Sequence, residues 1–173
     1  MFRVTRNMFF DKGIAHLCFE YPSSFNIRLV QLYDNTGYER IDIDGPYSRQ
    51  HRDRTTMWVE AQRFTLPITI GFLIENAVSV ASGHEGYRLL DRSPFYFSGI
   101  TAEQFTYFYY ATRSDYERKI LGFSPAPTVT RQIYFSYNGL QWTIAMSAYQ
   151  STVDMDTPGF EHLLSTLTML PVE

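Results

Sequence analysis

Four side chains able to grip an anion crowd into the segment SRQHRDRTT: Arg49, His51, Arg52 and Arg54, with Asp53 among them. A guanidinium presents a planar fork of donors that matches a carboxylate or a phosphate, so the segment is a candidate contact for a polar partner. The competing reading is a solvated loop whose charges pair with one another. Just upstream, IDIDGPY sets Asp42 and Asp44 before Gly45, as part of a calcium loop would. The EF-hand pattern would put its first ligand at Arg40 and its twelfth at His51, and neither replaces an acidic oxygen donor. The two aspartates read instead as solvent-facing carboxylates that blunt an edge strand.

Other chemistries lack their residues. The chain contains no G-x-S-x-G, no P-loop, no G-x-G-x-x-G and no C-x-x-C. The four histidines, His16, His51, His84 and His162, are scattered, and none has a second histidine four residues on. Cys18, the single cysteine, shares a strand face with His16. A Cys-His nucleophile also needs an orienting group and an oxyanion hole, which nothing nearby supplies, so a small buried hydrophobe is the plainer reading. No catalytic residue, metal ligand or cofactor is assigned. A formal charge of -3 argues against broad attraction to nucleic acid or to anionic membrane. No run approaches the roughly 18 apolar residues of a spanning helix, and the first thirty residues lack the basic, apolar, small-residue order of an export signal.

The elements that would position such residues are clearer. RQIYFSYNGLQWTIAMSAY, Arg131 to Tyr149, alternates about Asn138-Gly139, the strongest short hairpin signal. A two-residue loop puts Tyr137 opposite Leu140, Phe135 opposite Trp142 and Ile133 opposite Ile144 on an apolar core face. The other face carries Gln132, Tyr134, Ser136, Gln141, Thr143, Ala145, Ser147 and Tyr149, a small, hydroxylated set. Of these, Tyr134, Gln141, Thr143 and Tyr149 are candidates to line a cleft between sheet and helix. Further strands are expected over Ile14 to Pro22, Ile27 to Tyr33, Tyr38 to Ile43 and Thr56 to Phe64, and from Tyr87 on with a break at SPFYFSG. ITAEQFTYFYYAT is apolar on both faces, as a strand in the middle of a sheet would be.

Between them, Ile70, Leu73, Ile74, Ala77, Val78 and Ala81 recur at helical spacing, with Thr69 as cap and Gly83 with Gly86 as stop. A last helix is expected from Thr157, with Pro158 in its first turn, Asp154 and Asp156 ahead of it, and Phe160, Leu163, Leu164 and Leu167 facing inward. At 173 residues, 45% hydrophobic and 17% aromatic, the chain suits one α+β domain spanning 1–173, with a sheet of about six to eight antiparallel strands.

This order of elements resembles the PsbP-like family, which includes photosystem II extrinsic proteins and many bacterial lipoproteins. FEYPSSF, Phe19 to Phe25, is similar to its opening strand and turn, and FSGITAEQFTYFYY, Phe97 to Tyr110, to its entry into a central strand. RQIYFSYNGLQWTIAMSA with the helix ending LLSTLTML is similar to its closing unit. The resemblance implies an α/β/α sandwich, with helices on both faces of the sheet. It also implies a non-enzymatic binding or scaffold role toward an unknown protein partner or small ligand. An extracytoplasmic setting follows from the same resemblance, with room for a lipid tether in a full-length form and a cytoplasmic setting left open. The alternative is a small-ligand carrier, or an enzyme, built on the cleft.

Overall fold

Asn138 and Gly139 both take left-handed backbone angles, φ 50 and 73, as a primed two-residue turn requires. The strands they join, β8 (Ala126–Tyr137) and β9 (Leu140–Tyr149), therefore meet in the expected register, with Phe135 opposite Trp142 and Ile133 opposite Ile144. The computed structural model describes residues 5–10, 16–33, 37–47, 54–111 and 125–170, with the backbone alone over 5–10 and 29–33.

Around that hairpin a seven-stranded antiparallel sheet assembles in the order β3-β4-β5-β9-β8-β7-β6. Its other members are β3 (Asn26–Tyr33), β4 (Tyr38–Asp44), β5 (Thr56–Gln62), β6 (Arg88–Phe97) and β7 (Ile100–Ala111). The break expected at SPFYFSG falls at its end: Ser93 to Phe97 continue β6, and Ser98-Gly99, both at positive φ, make the turn into β7. Pro94 is accommodated because β6 is an edge strand, where a missing N–H costs no ladder bond. The doubly apolar β7 lies one place in from that edge.

A second, three-stranded sheet pairs β2 (Leu17–Pro22) with β1 (Thr5–Phe10) and with β10 (Thr168–Met169). Neither β1 nor β10 is marked by alternation strong enough to read from the sequence.

The main sheet is covered on both faces. Helix α1 (Ile70–Ser82) is capped as expected, its Thr69 Oγ1 accepting the Phe72 N–H at 3.2 Å, and it ends at Gly83. It presses Ile74 and Ala81 onto Phe105, Tyr107 and Tyr134, a small core. Helix α2 (Val153–Thr166) and β2 cover the opposite face. There Phe160, Leu163 and Leu164 join Leu17, Phe19, Ile43, Met57, Ile133, Phe135, Trp142 and Ile144 in a much larger core. The start of α2 corrects the sequence reading: the helix begins at Val153, so Pro158 lies inside it and Asp154 and Asp156 occupy its first turn. Asp156 is tied to the residue just ahead of β5 by the Thr55 hydroxyl, which donates to its Oδ2 at 2.5 Å.

Candidate functional site

Register carries the hairpin's polar face across the sheet. Arg40 on β4 stands opposite Glu60 on β5, Glu60 opposite Thr143 on β9, and Thr143 opposite Tyr134 on β8. The adjacent rows run Tyr38, Gln62, Gln141, Ser136 and Asp42, Trp58, Ala145, Gln132. Helix α1 lies over β7 and β8, and the side chains beside it on β9 are short. A trough is left between α1 and the larger residues of β4 and β5.

This trough is a cavity of about 400 Å³. Arg40, Trp58 and Glu60 form one wall and Phe72, Leu73, Asn76 and Ala77 of α1 the other, with Gln132, Tyr134, Gln141 and Thr143 beneath. Three of the expected cleft residues, Tyr134, Gln141 and Thr143, are thus brought together. Two of their polar groups are anchored: Tyr134 donates its hydroxyl to Gln132 Oε1 at 2.6 Å, and Gln141 Nε2 donates to the Ile68 carbonyl at 3.1 Å.

Tyr149 is not among them. It lies eight residues beyond Gln141 on the same strand, roughly 26 Å away at the usual rise. With Arg54, Thr128 and Ser147 it borders a smaller cavity of about 140 Å³ on the same sheet face. Of the arginine-rich segment only Arg54 is described; Arg49, His51 and Arg52 lie outside the described residues. Arg54 reaches Asp44, a buried residue at the end of β4 and outside the arginine-rich segment, at 3.7 Å.

Asp42 and Asp44 are corrected outright. β4 is flanked by β3 and β5, so it is no edge, and the two residues are only 3% and 4% exposed. Their charges are offset by arginines. Asp42 accepts from Arg40 Nε at 2.7 Å and from Arg28 Nη2 at 2.9 Å, while Asp44 meets Arg28 Nε at 3.0 Å and accepts from Thr56 Oγ1 at 3.1 Å. Arg40 extends the ladder to Glu60 at 3.4 Å and lies over the Trp58 ring at 4.9 Å. Tyr38 donates its hydroxyl to Glu60 Oε2 at 3.1 Å.

Burial raises the Glu60 carboxyl above its ordinary range, against the opposing pull of Tyr38 and Arg40. Burial, and then the Glu60 charge, push the Tyr38 phenol up to about 12. Burial also raises the Tyr134 phenol.

The sequence reading missed Arg40, Trp58 and Glu60 as cleft residues. Their alternation along β4 and β5 was legible, but their neighbourhood with β9 was not. Elsewhere, Cys18 is half-buried in the central strand of the small sheet, opposite Phe9 and Thr168. His162 Nε2 lies 2.7 Å from Glu20 Oε2, and His84 packs on the Tyr109 ring at 4.6 Å. Among the described residues no cluster of three His, Cys, Asp or Glu side chains could hold a metal, and no helix is long and apolar enough to cross a membrane.

By sequence, no protein-family model and no curated protein matches the chain. Solved structures do match. Cyanobacterial PsbP from Synechocystis aligns with a TM-score of 0.60 at 12% identity, covering 96% of this chain and 92% of that one. LpqN of Mycobacterium tuberculosis, described as involved in cell envelope biogenesis, aligns at 0.58 and 12%, covering 98% and 93%. The Ran-binding protein Mog1p of Saccharomyces cerevisiae aligns at 0.54 and 9%, covering 96% and 95%. At identities this low the likeness is one of fold, and at that level the chain is similar to PsbP.

Proposed function

We propose that the protein is a binding module whose working surface is the cleft between α1 and the outer face of β4, β5 and β9. The observation that carries this is the cavity itself: about 400 Å³, with aromatic and polar side chains converging on it. Small-ligand sites commonly span ~300–1,000 Å³ with this mixture of walls. The fold likeness to the Ran-binding protein Mog1p supports a binding role. An extracytoplasmic setting belongs to the same proposal and is supported by the fold likeness to LpqN, described as involved in cell envelope biogenesis.

The test is a fragment screen read by amide and indole NMR on the full chain. Binders are expected to move the Trp58 indole and the Ala77 amide, and Ala77→Trp, which fills the cleft, should abolish those shifts while leaving the remaining spectrum in place. Fragments that bind with those signals unmoved would place the working surface elsewhere.

A further inference from the structure

We infer that the cleft takes an uncharged, polyhydroxylated ring, that is, a sugar residue. The inference rests on the cleft being the binding site, as proposed above, and it goes on to the chemistry of the occupant.

The charges of the cleft are already committed to each other. Arg40 holds Asp42 at 2.7 Å and Glu60 at 3.4 Å, with only part of its side chain exposed. A charged ligand would have to separate that pair in a site where water replaces the lost contacts poorly. The uncharged polar groups divide into two sets. Gln141 is spent on Ser136 and the Ile68 carbonyl, and Gln132 Oε1 on Tyr134. Gln62, Asn76 and Thr143 also line the cavity, yet their side chains have no hydrogen-bond partner among the described residues. Amides and hydroxyls both donate and accept. Their natural complement is a ligand whose own groups do both, and a ring of hydroxyls is such a ligand.

The remaining surface is aromatic. Trp58, Phe64 and Phe72 line the same cavity, and Phe72 is 61% exposed although it is a large apolar residue. Aromatic faces bury apolar area without demanding charge, and they suit the C–H face that a sugar ring presents on one side. A cavity of about 400 Å³ lies near the small end of ligand sites, room for one or two rings.

The experiment is an NMR titration of the full chain, following the Trp58 indole after its assignment with Trp58→Phe. The probes are methyl glucopyranosides, maltose and cellobiose, with glucuronate and glucosamine as charged counterparts, and adenosine and indole as flat aromatic controls. At least one neutral sugar should shift the signal saturably with a millimolar Kd. The charged counterparts should bind more weakly by roughly tenfold, and Gln62→Leu with Asn76→Leu should weaken the neutral sugar by roughly tenfold or more. If adenosine or indole binds in the cleft while every neutral sugar leaves it unmoved, or if a charged probe binds tightest, the occupant is wrong and the site stands. If no probe moves the indole, both readings fail.

Discussion

Glu60 is pulled in opposite directions, since burial favours its neutral form while Arg40 and Tyr38 favour the carboxylate, and burial is the stronger. The folded protein therefore holds this proton at pH values where the unfolded chain has released it. Stability linked to Glu60 is present below the ordinary pKa of 4.5 and is lost as pH rises through the window just above it. Glu60→Gln should flatten that part of the stability profile. Urea unfolding measured at steps between acidic and neutral pH checks this, and a variant with the wild-type slope would show that other groups set it. Asp42 and Asp44 are also buried carboxylates, each in contact with arginines on neighbouring positions. Alternation along IDID was visible in the sequence. Which face water reached was not, because burial depends on what lies over a strand.

At the scale of elements, α1 was almost fully legible. Its apolar spacing and Thr69 cap are local devices, and both are used; at its end Gly83 keeps right-handed angles and Gly86 takes the left-handed ones. α2 was legible in its buried face but not in its start. Proline is most at home in a first turn, and that preference argued for a start at Thr157. The helix instead begins at Val153, tied to β9 by backbone bonds such as Thr152 N–H to Tyr149 C=O at 2.9 Å, and it carries Pro158 within. An interior proline forfeits one backbone bond and crowds the preceding turn, at a cost of roughly 3 kcal/mol, of which about 1 kcal/mol returns through a stiffer unfolded chain. Pro158→Ala is therefore expected to stabilise the protein by about 1–2 kcal/mol. Chemical denaturation measures it, and a destabilised variant would mean that the ring's own packing outweighs the lost bond.

Across the whole molecule the two sheet faces are unequally held. α1 buries only Ile74 and Ala81 completely, whereas α2 buries Gly159, Phe160, Leu163 and Leu164 within the large core. Local opening follows the apolar area that an element must expose. Amides of α1 should therefore exchange with solvent faster than those of α2 by roughly tenfold or more, a gap of about 1.4 kcal/mol. Hydrogen exchange read by mass spectrometry resolves the two helices, and equal protection would contradict the picture of a lightly seated wall beside the cleft. The sequence by itself determined the hairpin register, the apolar faces, the α1 helix and the α+β class, because turn chemistry and periodicity act between residues close in the chain. Only the tertiary structure decided that β5 would lie beside β9 and that Arg40, Trp58 and Glu60 would share a cavity with Tyr134, Gln141 and Thr143. Strand order has no period to betray it. It follows from the burial of all the strands and helices together, and the cleft exists where that packing left one polar stretch of the sheet beyond the reach of α1.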